Sequence, residues 1–195
     1  MSRTTPLFLL RTVLYPGGPL PLRIFERRYL DMVSECARTG STFGVILPSG
    51  SDSEALLGRR GTLARIVDFD QLEDGLLGIK VMGEQRFEVH ATETAEHGLV
   101  RAAINPVPAE PPVSVPPAMA GLSNLVEHLM QSVGHHYPDY SAERLRQASW
   151  VGCRLAELFP LDLEQRQQLL ELDDPVTRLE RLVYWLPRLG EGNAD

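Results

Sequence analysis

One lysine, two cysteines and no long apolar run set the first limits on this 195-residue chain. Lys80 is the single lysine among 19 basic residues. A phosphate-cradling P-loop needs the spacing G-x-x-x-x-G-K-S/T, because its lysine neutralises the β/γ-phosphates. Lys80 is followed by Val81 inside "GLLGIKVMG", and the glycines of "GRRGT" (Gly58–Thr62) have no lysine beside them. P-loop ATPase chemistry is therefore excluded from these residues. A Ser-Lys dyad would need Lys80 desolvated beside a serine, and no serine lies near it in sequence. No G-x-S-x-G elbow occurs either.

Cys36 and Cys153 lie far apart, each on the apolar stripe of an expected helix. That is the setting of a buried, inert thiol, and no disulfide framework is suggested. A reducing cytoplasm fits. The opening apolar patch is broken by arginine and proline, and no run of about 18 apolar residues follows, so neither a signal peptide nor a membrane span is expected. Acids outnumber bases 26 to 19, for a net charge of −7. Up to Glu110 there are 12 bases against 14 acids, and beyond it 7 against 12. Neither part carries the positive field that a phosphate backbone requires, so no nucleic-acid partner is expected.

Metal ligands do not cluster. His135, His136 and Asp139, with His128 seven residues before His135, form the one candidate group. No H-E-x-x-H or C-x-x-C spacing supports it, and a solvated helix end explains it, so no metal and no cofactor are expected. His90 and His97 read as strand surface and turn. Asp68 and Asp70 alternate along a strand end, and Asp173 and Asp174 precede a helix.

What is present is a hydrophobic fraction of 43%, enough for a core. The first half has a strand-and-turn rhythm of about ten residues. Leu7–Leu10 reads as a strand, and Thr42–Gly50 as a strand ending in a turn. Gly61–Gly83 reads as strand, turn, strand, with Glu73, Asp74 and Gly75 turning. Gln85–Glu93 and Leu99–Val107 add two short strands. One helix interrupts: Phe25, Tyr29, Met32, Val33 and Cys36 recur every three or four residues, Gly40 closes the stretch, and its start has no Ser/Thr/Asp cap. Between Pro106 and Gly121, six of the first twelve residues are proline, a stiff linker that marks a domain boundary.

Helices are expected beyond it. Leu122, Leu125, Val126, Leu129 and Val133 make one stripe. Ser141 is placed to cap a second helix carrying Leu145, Ala148, Val151, Leu155 and Leu158. Asp162 and Gln165 have capping-box spacing. Asp174-Pro175 opens a fourth helix with Val176, Leu179, Leu182, Val183 and Leu186 on its stripe, ended by Pro187.

The stretch "PLFLLRTVLYPGGPLPLRIFERRYLDMV" (Pro6–Val33) resembles the start of the N-terminal substrate-binding domain of Lon, the ATP-dependent protease La. Val13, Leu14, Pro16, Gly17, Pro21, Leu22, Ile24, Phe25, Glu26, Arg28 and Tyr29 match that signature, with Tyr15 where phenylalanine is usual. "FGVILPSG", "GTLARIVDF" and "DGLLGIKVMGEQRFEV" follow in the family's order, and "FPLDLEQRQQLLELDDPVTRLERLVYWL" is similar to its helices. The resemblance implies an α+β fold: a PUA-like β pseudo-barrel with one inserted helix over 1–110, then a helical bundle over 111–195. It also implies a chain that ends before the AAA+ ATPase and Ser-Lys protease of a full Lon. The function implied is non-catalytic binding of unfolded or tagged polypeptide clients, as an adaptor or regulator of proteolysis with a protease partner. An RNA-binding PUA-like protein, or an enzyme with a β-domain pocket around His90 and a strand carboxylate, are the alternatives. The candidate contact loop is Leu14, Tyr15, Pro16, Pro19, Leu20, Leu22 and Phe25. The same residues also read as the core of an irregular strand, with the prolines fixing a turn.

Overall fold

The turn rhythm of the first half becomes six strands and a helix in the computed structural model, which describes residues 4–48, 53–95, 97–133 and 137–191. In chain order these are β1 (Thr5–Leu9), β2 (Pro19–Ile24), α1 (Arg27–Thr39), β3 (Phe43–Ile46), β4 (Arg60–Gln71), β5 (Leu77–Thr94) and β6 (Val100–Pro106). They form one compact unit that ends at Ala109; a second begins at Glu110.

The sheet is mixed. β1 pairs with β3 in parallel and with β6 antiparallel, and β3–β4, β4–β5 and β5–β6 are all antiparallel. These five strands therefore pair in a closed ring. Among the described residues β2 stands outside the ring, paired with Leu77–Met82 of β5. Gly61–Gln71 and Leu77–Gly83 do form the expected hairpin, and Gly75 at φ 82° makes its turn. Gln85–Glu93, expected as a separate strand, continues the same 18-residue β5. Its first half serves the β2–β5–β4 arm and its second half closes the ring onto β6. Of the turn expected after β3, Ser49 and Gly50 lie outside the described residues.

Two clusters of described residues pack inside this unit. Phe87, fully buried, packs with Leu7, Ile46, Leu56, Val89, Val100 and Ala102. Gly44 and Gly61 on neighbouring strands leave room for its ring: a Cβ on either would come within 2.6 Å of Phe87 Cζ. The second cluster joins Phe8, Ile24, Phe43, Ile79 and Val81 of the sheet to Tyr29, Met32, Val33 and Cys36 of α1. Each such large apolar side chain contributes about 1.5–3 kcal/mol on burial. Helix α1 begins at Arg27, later than the stripe suggested, and Phe25 lies outside it, 65% exposed. Glu26 is the N-cap and makes no side-chain capping bond; Gly40, at φ 64°, ends the helix as expected.

The second unit holds α2 (Gly121–Val133), α3 (Ala148–Leu158), α4 (Leu163–Glu171) and α5 (Pro175–Glu191). The Asp162–Gln165 capping box forms in both directions. Asp174 accepts from the Thr177 N–H at 2.9 Å and starts α5. Ser141 caps only a short 3₁₀ turn at Arg144–Arg146, because Gln147 is extended and α3 starts afresh after it. The proline-rich stretch is no free tether at its far end: Val115 N–H donates to Arg146 O at 2.8 Å and Ala148 N–H to Val113 O at 2.9 Å. Helix α5 runs through Pro187 to Glu191 instead of stopping there. Val183 is exposed, and the buried face is Arg178, Leu179, Leu182 and Trp185.

Arg178 organises this unit. It donates to Leu169 O (2.9 Å) and Leu172 O (2.7 Å), satisfying carbonyls that the C-terminus of α4 leaves without helical partners. It also grips Glu110 with two bonds of 2.8 and 2.6 Å, and both side chains are buried, 1% and 8% exposed. Removing one member of a buried, hydrogen-bonded pair costs about 3–5 kcal/mol. Arg178→Ala should lower stability by about that much in urea unfolding followed by helical circular dichroism. A loss below about 1 kcal/mol would contradict this account.

Candidate functional site

The opening motif explains its own residues. Tyr15, Pro16, Gly17 and Gly18 form a tight turn closed by Gly18 N–H to Tyr15 O at 3.0 Å. Proline presets φ at the second position, and Gly17, at φ 73°, supplies the left-handed third position that a type II turn requires. The turn is stitched to β5 by Gly17 N–H to Gly83 O (2.8 Å) and Gly83 N–H to Gly18 O (2.9 Å). The buried Thr62 hydroxyl on β4 donates to Leu14 O at 2.6 Å. A Cβ on Gly83 would sit 2.1 Å from the Tyr15 carbonyl oxygen, so only glycine fits there. The motif's later residues are anchored too. Arg28 bonds Glu26 (2.7 Å) and Gly98 O (3.1 Å) and lies 4.6 Å from the Tyr29 ring centre, while Tyr29 packs 3.9 Å from Phe8.

The candidate contact residues separate accordingly. Leu14 and Tyr15 are 4% and 0% exposed and present no surface to a ligand. Pro16 is half-buried beside the turn. From Pro19 on, the expected loop is strand β2, where Leu20 and Leu22 are half-buried against the core under α1. Phe25 alone projects as a large exposed apolar group. The motif thus anchors β2, and the arm that β2 completes is the exposed feature.

That arm carries a cleft of about 260 Å³, lined by a block of three facing triplets and Leu72. The triplets are Pro21–Lys80–Asp68, Leu22–Ile79–Phe69 and Arg23–Gly78–Asp70, each in register across β2, β5 and β4. Ile79 belongs to the core, so the Asp68, Asp70, Lys80 and Arg23 side chains occupy the opposite face of the sheet. Arg23 pairs with Asp74 at the hairpin tip. In sequence, Asp68 and Asp70 alternate along a plain strand end. Only the register shows that they share a face with the lysine and with Arg23.

Other candidates place as follows. Cys36 and Cys153 are buried and burial pushes both thiols up, which disfavours the reactive thiolate. His90 is exposed on β5. His135 and His136 lie outside the described residues; among those described, no three ligating side chains converge.

One polar cluster matches no motif read from the sequence: Tyr137 and Asp139 come from the segment before α3, and Trp150, Arg154 and Glu157 from α3 itself. Tyr137 Oη donates to Glu157 at 2.9 Å, and Arg154 bonds the same carboxylate at 3.0 Å. The Arg154 guanidinium lies 4.5 Å from the Tyr137 ring centre, and Trp150 Nε1 donates to Asp139 at 3.2 Å. Burial pushes the Glu157 carboxyl up to about 7, against the pull of Arg154 and Tyr137.

Residues 4–188 match the model of the family described as the ATP-dependent protease La (LON) substrate-binding domain. The crystal structure of a Lon N-terminal domain protein from Xanthomonas campestris is 39% identical, with a TM-score of 0.78 over 94% of this chain and 98% of that one. Protein cereblon of Danio rerio is 33% identical over 49% of this chain and 23% of its own length. A Lon protease of Dictyoglomus thermophilum is 25% identical over 94% of this chain and 24% of its own length. The chain thus spans about a quarter of those two relatives. A mixed sheet with an anchored arm, followed by helices, defines an α+β chain of the Lon N-terminal kind. The chain belongs to the Lon substrate-binding domain family.

Gly83→Ala should lower stability by about 2–3 kcal/mol, because the clash is with backbone and not with a movable side chain; the unfolding midpoint of the variant checks this. Between about pH 4.5 and 7 the unfolded chain releases the Glu157 proton while the folded chain keeps it. Stability from this group therefore falls as pH rises through that window. Glu157→Gln should flatten the dependence of Tm on pH across it; an unchanged profile would contradict the assignment.

Proposed function

We propose that this chain is a non-catalytic module that holds unfolded or tagged polypeptide, acting in the cytoplasm as an adaptor or regulator for a protease partner. The observation that carries this reading is the match of residues 4–188 to a substrate-binding domain family. In the finer fold reading, the closed ring of strands is the PUA-like pseudo-barrel and the four later helices are the bundle, divided near Glu110. The net charge of −7 favours polypeptide over nucleic acid as the partner.

Of the opening candidates, Pro16, Pro19, Leu20, Leu22 and Phe25 remain available for contact, with Phe25 the main exposed group. A rigid strand bearing such residues loses little conformational freedom when it binds. Fluorescence anisotropy with a reduced, alkylated protein and its native form tests the reading. Binding of the unfolded form alone, at about micromolar Kd, is expected. Phe25→Ser should weaken it about fivefold with Tm unchanged. Absence of binding to the unfolded form would end the polypeptide reading.

A further inference from the structure

The β2–β5–β4 arm has two outer edges, and they differ. An open strand edge presents unpaired N–H and C=O groups that another extended chain can take up. On β2 that edge is blunted: Pro19 and Pro21 have no N–H, and a strand proline turns its nitrogen away from the ladder. On β4 it is not. β3 reaches only Thr62–Ala64 of β4, so from Arg65 to Gln71 the side away from β5 has no strand beside it among the described residues. No proline lies in that stretch, and all of it except Ile66 is exposed.

The ladder fixes which groups point outward. Leu72 N–H donates to Leu76 O at 3.0 Å at the end of the hairpin. Bonded and non-bonded pairs alternate from there, so Asp70 and Asp68 direct their backbone groups at β5, and Phe69 and Gln71 direct theirs outward. A second observation agrees: Phe69 N–H donates not to β5 but to the Asp68 carboxylate, at 2.9 Å. This outward donor is held by a side chain that can yield it to a ligand. The register shift at Val67 limits the regular edge to Asp68–Gln71.

The side chains give the edge a chemical character. Phe69, 52% exposed, shares the core-side face of the strand, with Val67, 42% exposed, just before it. Asp68 and Asp70 point to the cleft side, and Glu73 and Asp74 follow at the tip. Asp68 and Asp70 line the cleft with Lys80 and Arg23, and Arg23 is already paired with Asp74. An added strand would place alternate side chains beside Phe69 and beside Asp68 and Asp70.

We propose that the Asp68–Gln71 edge of β4 is a strand-addition site for an extended polypeptide whose side chains alternate between apolar and basic. The proposal rests on the polypeptide-binding reading above and names its mode and client chemistry. Main-chain bonds to Phe69 and Gln71 supply affinity; the acidic cleft and the exposed phenylalanine select sequence.

The test uses the 195-residue chain and dye-labelled ten-residue peptides alternating valine with arginine or valine with glutamate, with the reduced, alkylated protein run in parallel. The valine–arginine peptide should bind at least about tenfold more tightly than the valine–glutamate one. Phe69→Pro removes one outward N–H and no ladder bond, and should weaken the preferred peptide about tenfold. A double variant, Asp68→Lys with Asp70→Lys, should reverse the charge preference. It decides the matter alone if Phe69→Pro fails to fold. Equal binding of both peptides, or an unchanged preference in the double variant, overturns the edge proposal. If the wild type still binds the unfolded protein in that case, the polypeptide reading stands; if it binds neither, both fall.

Discussion

The approach of the Tyr15 carbonyl to Gly83 is the constraint on which the first unit depends. It occurs midway along β5, where the strand changes partner from β2 to β6. Without a side chain at Gly83, the turn at Tyr15–Gly18 can lie against the strand and exchange two backbone bonds with it. That contact delivers β2 to the first half of β5 in a single register. The ring and the arm then share one continuous strand, and α1 is drawn over the face that both expose. The proline-glycine motif is thus a joint, and most of its apolar residues are inside because a joint has to be dry.

Local signals in the sequence were legible where they act locally. The Asp162 and Gln165 box, the Asp74-Gly75 turn and the Gly40 stop each involve neighbours in the chain, and each forms. The differences turn on partners distant in the chain or on a single extended residue. Gly83 reads as a strand break in sequence, yet it is mid-strand because a carbonyl approaches from 68 residues earlier. The buried partner of Arg178, Glu110, lies 68 residues earlier. Ser141 was a sound cap whose helix was interrupted by the extended Gln147. Phe25 fits a helical period but precedes the helix, because Glu26 is still extended.

The candidate site shows the same division. Its apolar members could be named from the opening motif, but their exposure could not, since Tyr15 and Phe25 are both large aromatics and only the fold decides what packs on each. The acidic cleft was visible as two aspartates with no stated purpose. Three-strand register was needed to set them beside Lys80, and hairpin counting to show which backbone groups of β4 face away from the sheet.

The Glu110–Arg178 pair also bears on how the chain can be cut. A fragment that begins at Pro111 would carry a buried guanidinium whose two carboxylate bonds had been left on the other piece. A fragment that begins one residue earlier keeps both. For making the helical unit by itself, the proline-rich stretch is therefore not a neutral place to divide, and the position of the first codon decides whether the fragment starts with its internal counter-ion.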